Sequence, residues 1–158
     1  MTANEPGGGR VVDLDPAAVQ RTVGVKLLGQ LWAARAAAPR LPADGSITLT
    51  AGVASHRPSP GGAVTAVING GVEALVRALA VELAPVRVNA VSPGIIDTPA
   101  WDRLGEDERT AFLARVGGAL PAGRVGRPEE VAEAMLALLS NGFATGVTLP
   151  LDGGGRIA

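Results

Sequence analysis

The chain has 158 residues, 47% of them hydrophobic and 18% charged, with a formal net charge of −1 at pH 7. A chain of this size fits one domain that can bury roughly 68–70% of its unfolded surface, and its near-neutral balance leaves no basic face for nucleic acid and no cationic stripe for anionic lipid. Cysteine is absent and His56 is the only histidine, which excludes a disulfide framework and a thiolate nucleophile and leaves no expected metal site.

Residues 1–10, MTANEPGGGR, are neither basic nor apolar and read as a flexible leader, with residues 11–158 as a single α/β unit. No stretch offers about 18 apolar residues uninterrupted by Gly, Pro or charge, so neither a signal peptide nor a membrane span is predicted, and a cytoplasmic location is expected. A single lysine, Lys26, stands against thirteen arginines amid abundant Ala, Gly, Val and Pro. That imbalance reads as coding bias, so arginine clusters carry little weight.

Asp15 and Pro16 have the form of an N-cap with proline in the first helical turn, and they open AAVQRTVGVKLLGQLWAARAAAP, predicted as one long helix. Leu27, Leu28, Leu31 and Trp32 share a face, and the small residues Ala33, Ala34, Ala36, Ala37 and Ala38 would let another helix approach closely. Pro39 and Pro42 break the helix. GSITLTAG, residues 45–52, is rich in β-branched residues between glycines and predicts a buried strand. The loop after it contains His56, read as a polar loop residue.

Residues 63–84 predict a helix that is apolar on most sides, as expected of one sandwiched between a sheet and a partner helix. Gly70 and Gly71 lie inside it, each costing about 0.8–1.0 kcal/mol relative to Ala in an exposed helix, so close packing is their expected justification. VRVNAVSPG, residues 86–94, predicts a second buried strand ending at a Pro-Gly turn. One or two short mobile helices follow, then a helix opening at Pro128, and ATGVTLPLDGGG supplies a third strand. Strands separated by crossovers this long predict a parallel sheet with flanking helices, because parallel neighbours need about a dozen or more connecting residues.

GSITLTAGVAS, GGVEALVRALAVELAPVRVNAVSPGIIDTP, GRVGRPEEVAEAMLALLSNG and ATGVTLPLDGGG, in this order, resemble the C-terminal half of the short-chain dehydrogenases/reductases, from about Val11 onward. The resemblance implies a partial Rossmann-like, doubly wound sheet of about three strands, without the N-terminal dinucleotide-binding half. It also implies a catalytic set: a tyrosine and a lysine one helical turn apart, a serine thirteen residues before the tyrosine, and an asparagine in the preceding helix. The lysine lowers the tyrosine pKa, the phenolate exchanges a proton with the substrate, and the serine holds the substrate oxygen. Here the tyrosine position falls on Thr65, the lysine on Asn69, the serine on Gly52 and the asparagine near Lys26, and tyrosine is absent from the whole chain. Threonine is no useful acid without a strong base, and Asn69 provides none. Thr65 and Asn69 are therefore expected to cap or hydrogen-bond the start of their helix.

The family holds its dinucleotide with a strand, a glycine-rich turn and a helix N-terminus. PGGGR has no strand before it and lacks that spacing, so tight NAD(P) binding is not expected and NAD(P) enters by family resemblance only. Met1-Thr2-Ala3-Asn4 stands where the family's fourth strand emerges, which leaves open that the frame begins inside a longer one. What the resemblance retains is a wall of the nicotinamide pocket at Pro93, Gly94, Ile96 and Thr98. The alternative is that the Pro-Gly pair only turns the chain and Thr98 caps the next helix. Trp101, Asp102 and Arg103 fall in the substrate-lid segment, where Trp101 can equally be ordinary packing.

The expected activity is oxidoreductase-like by resemblance, but without autonomous hydride transfer. The expected partner is an identical chain or a relative docked through the two long helices, with a small-molecule ligand possible and no nucleic acid or membrane. Two alternatives stand beside it: a fragment of a longer NAD(P)-dependent enzyme, or a cofactor-independent lyase or isomerase in which His56 and Asp97 or Asp102 reach a pocket at the strand ends.

Overall fold

In the computed structural model, which describes residues 8–158, helices and strands alternate in the predicted order. Most of the expected leader, Met1–Asn4 included, lies outside the described residues. Within its described part, Gly9 donates its backbone N–H to the Gly61 carbonyl at 3.0 Å. Helix α1, Pro16–Val23, begins as predicted: the Asp15 carboxylate accepts the N–H groups of Ala17 and Ala18 at 3.0 and 3.2 Å, satisfying two donors that have no partner inside the helix.

The expected single helix is not uniform. Gly24–Leu28 is wound as a π segment, and the chain then continues into α2, Gly29–Ala37. The Gly29 N–H reaches back five residues to the Gly24 carbonyl, so the two glycines bound the widened turn. Such bulges gather at functional sites, and Lys26 sits in the middle of this one.

Strand β1, Ser46–Thr50, helix α3, Ala63–Glu82, and strand β2, Arg87–Pro93, form the first crossover unit. Helix α4, Glu106–Gly118, helix α5, Pro128–Ser140, and strand β3, Thr148–Leu151, complete the chain. The three strands are parallel in the order β1-β2-β3, with Ile47 beside Val88 and Val91 beside Leu149. The architecture is a partial Rossmann-like sheet with flanking helices.

Alternation along β2 assigns the layers, since successive side chains point to opposite faces. Val88 and Ala90 pack with Val72, Val76 and Leu79 of α3 on one face. On the other face the Arg87 guanidinium donates to the Leu138 and Leu139 carbonyls at the end of α5, at 2.9 and 2.8 Å. The run through α1 and α2 lies beside α3, where Ala34 is buried with Leu79 and Val88. Ala34 thus faces inward and is not part of a free helix surface, as its place in the alanine run had suggested. Burial of side chains such as Ile68, Val72, Val76 and Val91 contributes about 1.5–3 kcal/mol each.

Helix α3 is long and apolar enough to cross a membrane by composition, yet Val64, Ile68, Val72, Val76 and Leu79 are buried within the fold. Its two glycines differ. A Cβ on Gly71 would stand 3.0 Å from the Leu27 side chain, so close packing accounts for it, whereas a Cβ on Gly70 would meet nothing within 4 Å. The packing explanation therefore fails for Gly70.

The Ala51 N–H bonds to the Val91 carbonyl at 2.8 Å, so the Thr50 amide and carbonyl face away from β2. Both are taken by one side chain: the Gln30 amide accepts from Thr50 N at 2.8 Å and donates to Thr50 O at 3.2 Å. At the same end of the sheet, Gly94 approaches Asp152 so closely that a Cβ would stand 2.9 Å from Asp152 Cα. The Asp152 carboxylate then accepts the N–H groups of Gly154 and Arg156 at 3.0 and 2.9 Å, folding the glycine-rich tail.

Candidate functional site

The carboxyl ends of β1 and β2 open onto a cavity of about 540 Å³, the size and place expected of a ligand site in an open α/β sheet. The segment after β1 forms one wall, Lys26 and the start of α3 a second, and the turn after β2 with its short helix a third. The eight residues at the catalytic and nicotinamide-wall positions of the resemblance all line it: Lys26, Gly52, Thr65, Asn69, Pro93, Gly94, Ile96 and Thr98.

The four residues at the catalytic positions meet differently from a proton-transfer set. Asn69 is 1% exposed, and its Oδ1 is buried without a hydrogen-bond partner. A Cβ on Gly52 would come 2.8 Å from Asn69 Nδ2, so the amide occupies the space that a larger residue at position 52 would need. The Gly52 backbone is extended, with φ 172°, and only the contact restricts it. Thr65 is exposed at the rim. No side chain caps α3, whose N-cap is Gly62, so the expected capping role for Thr65 and Asn69 is overturned. Asn69 lies beyond the first turn, with its amide against Gly52 instead of the helix end.

Lys26 is partly buried on the π segment, and desolvation lowers its amine pKa below the ordinary lysine value. Its backbone carbonyl accepts from Gln30 Nε2 at 2.7 Å, which joins the π segment, Gln30 and the end of β1 in one chain of contacts.

The segment after β2 closes the cavity. Its short helical turn, Pro99–Leu104, precedes α4, and Thr98 stands at its N-cap without a side-chain capping bond, so that expected role also fails. The Trp101 indole N–H donates to the Ile96 carbonyl at 2.8 Å, and the ring lies 4.8 Å from Phe112. Trp101 also lines the cavity, so it packs and faces the site at once. Arg103 lines the cavity with its guanidinium 5.6 Å over the Trp101 ring. Asp97 and Asp102 do not reach the cavity lining. Both carboxylates are engaged by Arg109, Asp102 through Nε at 3.4 Å. His56 stands outside as well, with Nε2 3.1 Å from the Glu73 carboxylate, which also accepts from Ser55 Oγ. The set required for a cofactor-independent lyase is therefore not assembled.

Sequence reasoning missed the contribution of α5, whose Pro128 and Val131 line the cavity. Helix α5 is set in place by Glu130, which accepts from Arg124 Nη1 at 2.9 Å and from the Arg127 backbone N–H at 2.8 Å. Hydrogen bonding to Arg124, then to the Arg127 backbone, lowers the Glu130 pKa to about 2. Gly126 donates to the Ile95 carbonyl at 3.0 Å and accepts from Asp97 N at 2.9 Å, joining this segment to the turn after β2. The RPEE signature marked the helix start, but nothing local in it points to a cavity on another strand's end.

Tested for fit, the residues present offer a dinucleotide one end only. Pro93, Ile96 and Thr98 form a wall of the cavity, and Asn69 lines it with its Oδ1 buried and unpartnered. Gly94 is small because of Asp152, and no phenol stands at Thr65 to exchange a proton.

The family model described as enoyl-(acyl carrier protein) reductase matches residues 2–155. The short-chain dehydrogenase/reductase ATR9 of Stachybotrys chlorohalonatus is 42% identical over 109 residues, 69% of this chain and 43% of that protein. A 3-oxoacyl-[acyl-carrier-protein] reductase of Thermotoga maritima is 39% identical over 115 residues, 70% of this chain and 45% of that one. The crystal structure of a small-chain dehydrogenase in complex with NADPH superposes with a TM-score of 0.93 at 36% identity, covering 99% of this chain and 72% of the other. The chain spans about half the length of the curated relatives it matches, from 42% to 57% among the first four.

Proposed function

The chain belongs to the short-chain dehydrogenase/reductase family, and from that premise we propose that it is a divergent member that keeps the ligand cavity and has exchanged the proton-transfer set. In this reading these 158 residues bind a small molecule without transferring hydride on their own, and they work in the cytoplasm. The observation that carries it is the occupancy of one cavity by Lys26, Gly52, Thr65 and Asn69 where the family places asparagine, serine, tyrosine and lysine. The Thr65 hydroxyl is not ionised near neutral pH, and an amide at position 69 accepts and donates hydrogen bonds but moves no proton.

When bound, a nicotinamide dinucleotide supplies the hydride for this family's chemistry. Toward it the present residues offer the Pro93–Thr98 wall and the Asn69 amide, while the described residues contain no glycine-rich turn opening a helix for the pyrophosphate. The NADPH complex of the similar dehydrogenase supports NAD(P) as the family's cofactor. Calorimetry with NAD(H) and NADP(H) tests the reading: binding weaker than micromolar is expected, and a dissociation constant near 1 μM, about −8 kcal/mol, would overturn it.

A second reading, that these residues are the substrate-side part of a longer NAD(P)-linked oxidoreductase, is supported by the length of the relatives. The two readings separate under restoration. Thr65→Tyr, Asn69→Lys and Gly52→Ser in these 158 residues should yield no dehydrogenase. The same changes in a chain extended upstream by a glycine-rich turn should give weak activity under the second reading.

Self-association through the long helices is part of the proposal. Val25, Leu28 and Trp32 recur at helical spacing along the π segment and α2 with 41%, 38% and 54% exposure, and Val67 on α3 is 69% exposed. These exposed apolar residues support docking of a second copy or a relative, in place of the inward-facing Ala34.

A further inference from the structure

The charges that line the cavity are both positive. Lys26 and Arg103 face it, and no carboxylate does among the described residues, although the chain as a whole carries net charge −1. Two acids of the lid, Asp97 and Asp102, are both held by Arg109. Lys26 has no salt-bridge partner within the described structure, and burial disfavours its charged form. The Arg103 guanidinium lies over the Trp101 ring. A partly buried ammonium without a counterion is costly, and an anion beside it removes much of that cost.

A second, independent feature lines the same space. Asn69 is buried with an unpartnered Oδ1 and lines the cavity. A buried acceptor left unmet is costly, and the amide turned toward a ligand hydroxyl or N–H would relieve that cost. The remaining walls are largely apolar, with Ile96, Trp101 and Val131 among them.

We propose that the cavity binds an amphipathic hydroxycarboxylate, with its carboxylate on Lys26, its hydroxyl on Asn69 and its apolar body against Trp101 and Val131. Arg103 on the lid adds to the positive field at the mouth. The proposal rests on the cavity being a ligand site, as above, and adds the class of ligand. It needs no covalent step and no dinucleotide.

The test is calorimetry of the whole chain with 3-hydroxy-2-naphthoate and its neutral isostere 3-hydroxy-2-naphthamide. The acid should bind about tenfold more tightly than the amide, the scale of one charge-assisted hydrogen bond. Lys26→Met should erase that preference, and Lys26→Arg should restore most of it. A cooperative thermal transition followed by circular dichroism shows that Lys26→Met is folded. Should Lys26→Met fail to fold, Arg103→Met on the exposed lid should reduce the acid's preference alone. Equal binding of acid and amide by the wild-type chain would overturn the anion proposal and leave the ligand cavity standing. Binding of neither probe would overturn both.

Discussion

Gly52 and Asn69 stand seventeen positions apart in sequence and share one space, with a Cβ at position 52 only 2.8 Å from the Asn69 amide. A change at one is therefore felt at the other. Gly52→Ser alone should destabilise the fold by about 1–3 kcal/mol through overpacking, and Asn69→Ala should recover most of that loss, giving a clear coupling energy in a urea-denaturation double-mutant cycle. Strict additivity would contradict the fit. Lys26 makes a separate prediction. Its folded amine has a pKa below 10.5, so between the two values the unfolded chain binds the extra proton and stability rises with pH. Lys26→Met should accordingly be more stable than wild type near neutral pH, with the gain fading as pH approaches 10.5; a pH-independent difference in urea midpoint would contradict this. At this scale motif order led to eight of the residues that line the cavity, because motif spacing is a property of the chain. The fit between Gly52 and Asn69 was not legible, since it depends on how a strand end meets a helix. The expected capping roles failed for the same reason.

Among the elements, the helix around Lys26 and the start of α5 carry the site. The caps at Asp15 and Pro128 were legible because capping is local chemistry. The π segment was marked only by two glycines five residues apart, a pattern that also fits close packing. Glu130 anchors α5 through Arg124 and Arg127, and its pKa of about 2 lies below the ordinary value, so its contribution is complete above about pH 4.5 and disappears as pH falls through about 2. Glu130→Gln should lower the thermal midpoint at neutral pH and match wild type at the acid end of that window; an equal deficit at both ends would contradict the ion-pair account. On the opposite face, Trp32→Glu or Val67→Glu should shift sedimentation toward monomer while leaving the circular dichroism unchanged. Both residues are exposed, so these variants test association without disturbing the core, which a charge at Ala34 would do.

For the molecule as a whole, alternation of β-branched runs with long helices was enough to predict a parallel sheet, because no antiparallel turn connects those strands. The direction in which each sheet face looks had to come from the structure: Val88 toward α3, Arg87 toward α5. So did the convergence of three separate segments on one cavity. The cavity and the identities of the residues that line it at positions 52, 65 and 69 are therefore separate properties of one fold. General acid–base groups supply about 10²–10⁴-fold of rate only when substrate and hydride donor are already in reacting geometry, and the residues at Thr65 and Asn69 supply neither an acid nor a base. The most direct measurement is consumption of NADPH by the wild-type chain with a panel of ketones and aldehydes, read as loss of reduced-nicotinamide absorbance and matched to alcohol formed. The expected result is no rate above the protein-free control; stoichiometric, protein-dependent conversion of NADPH and carbonyl to alcohol would contradict the proposed lack of autonomous hydride transfer.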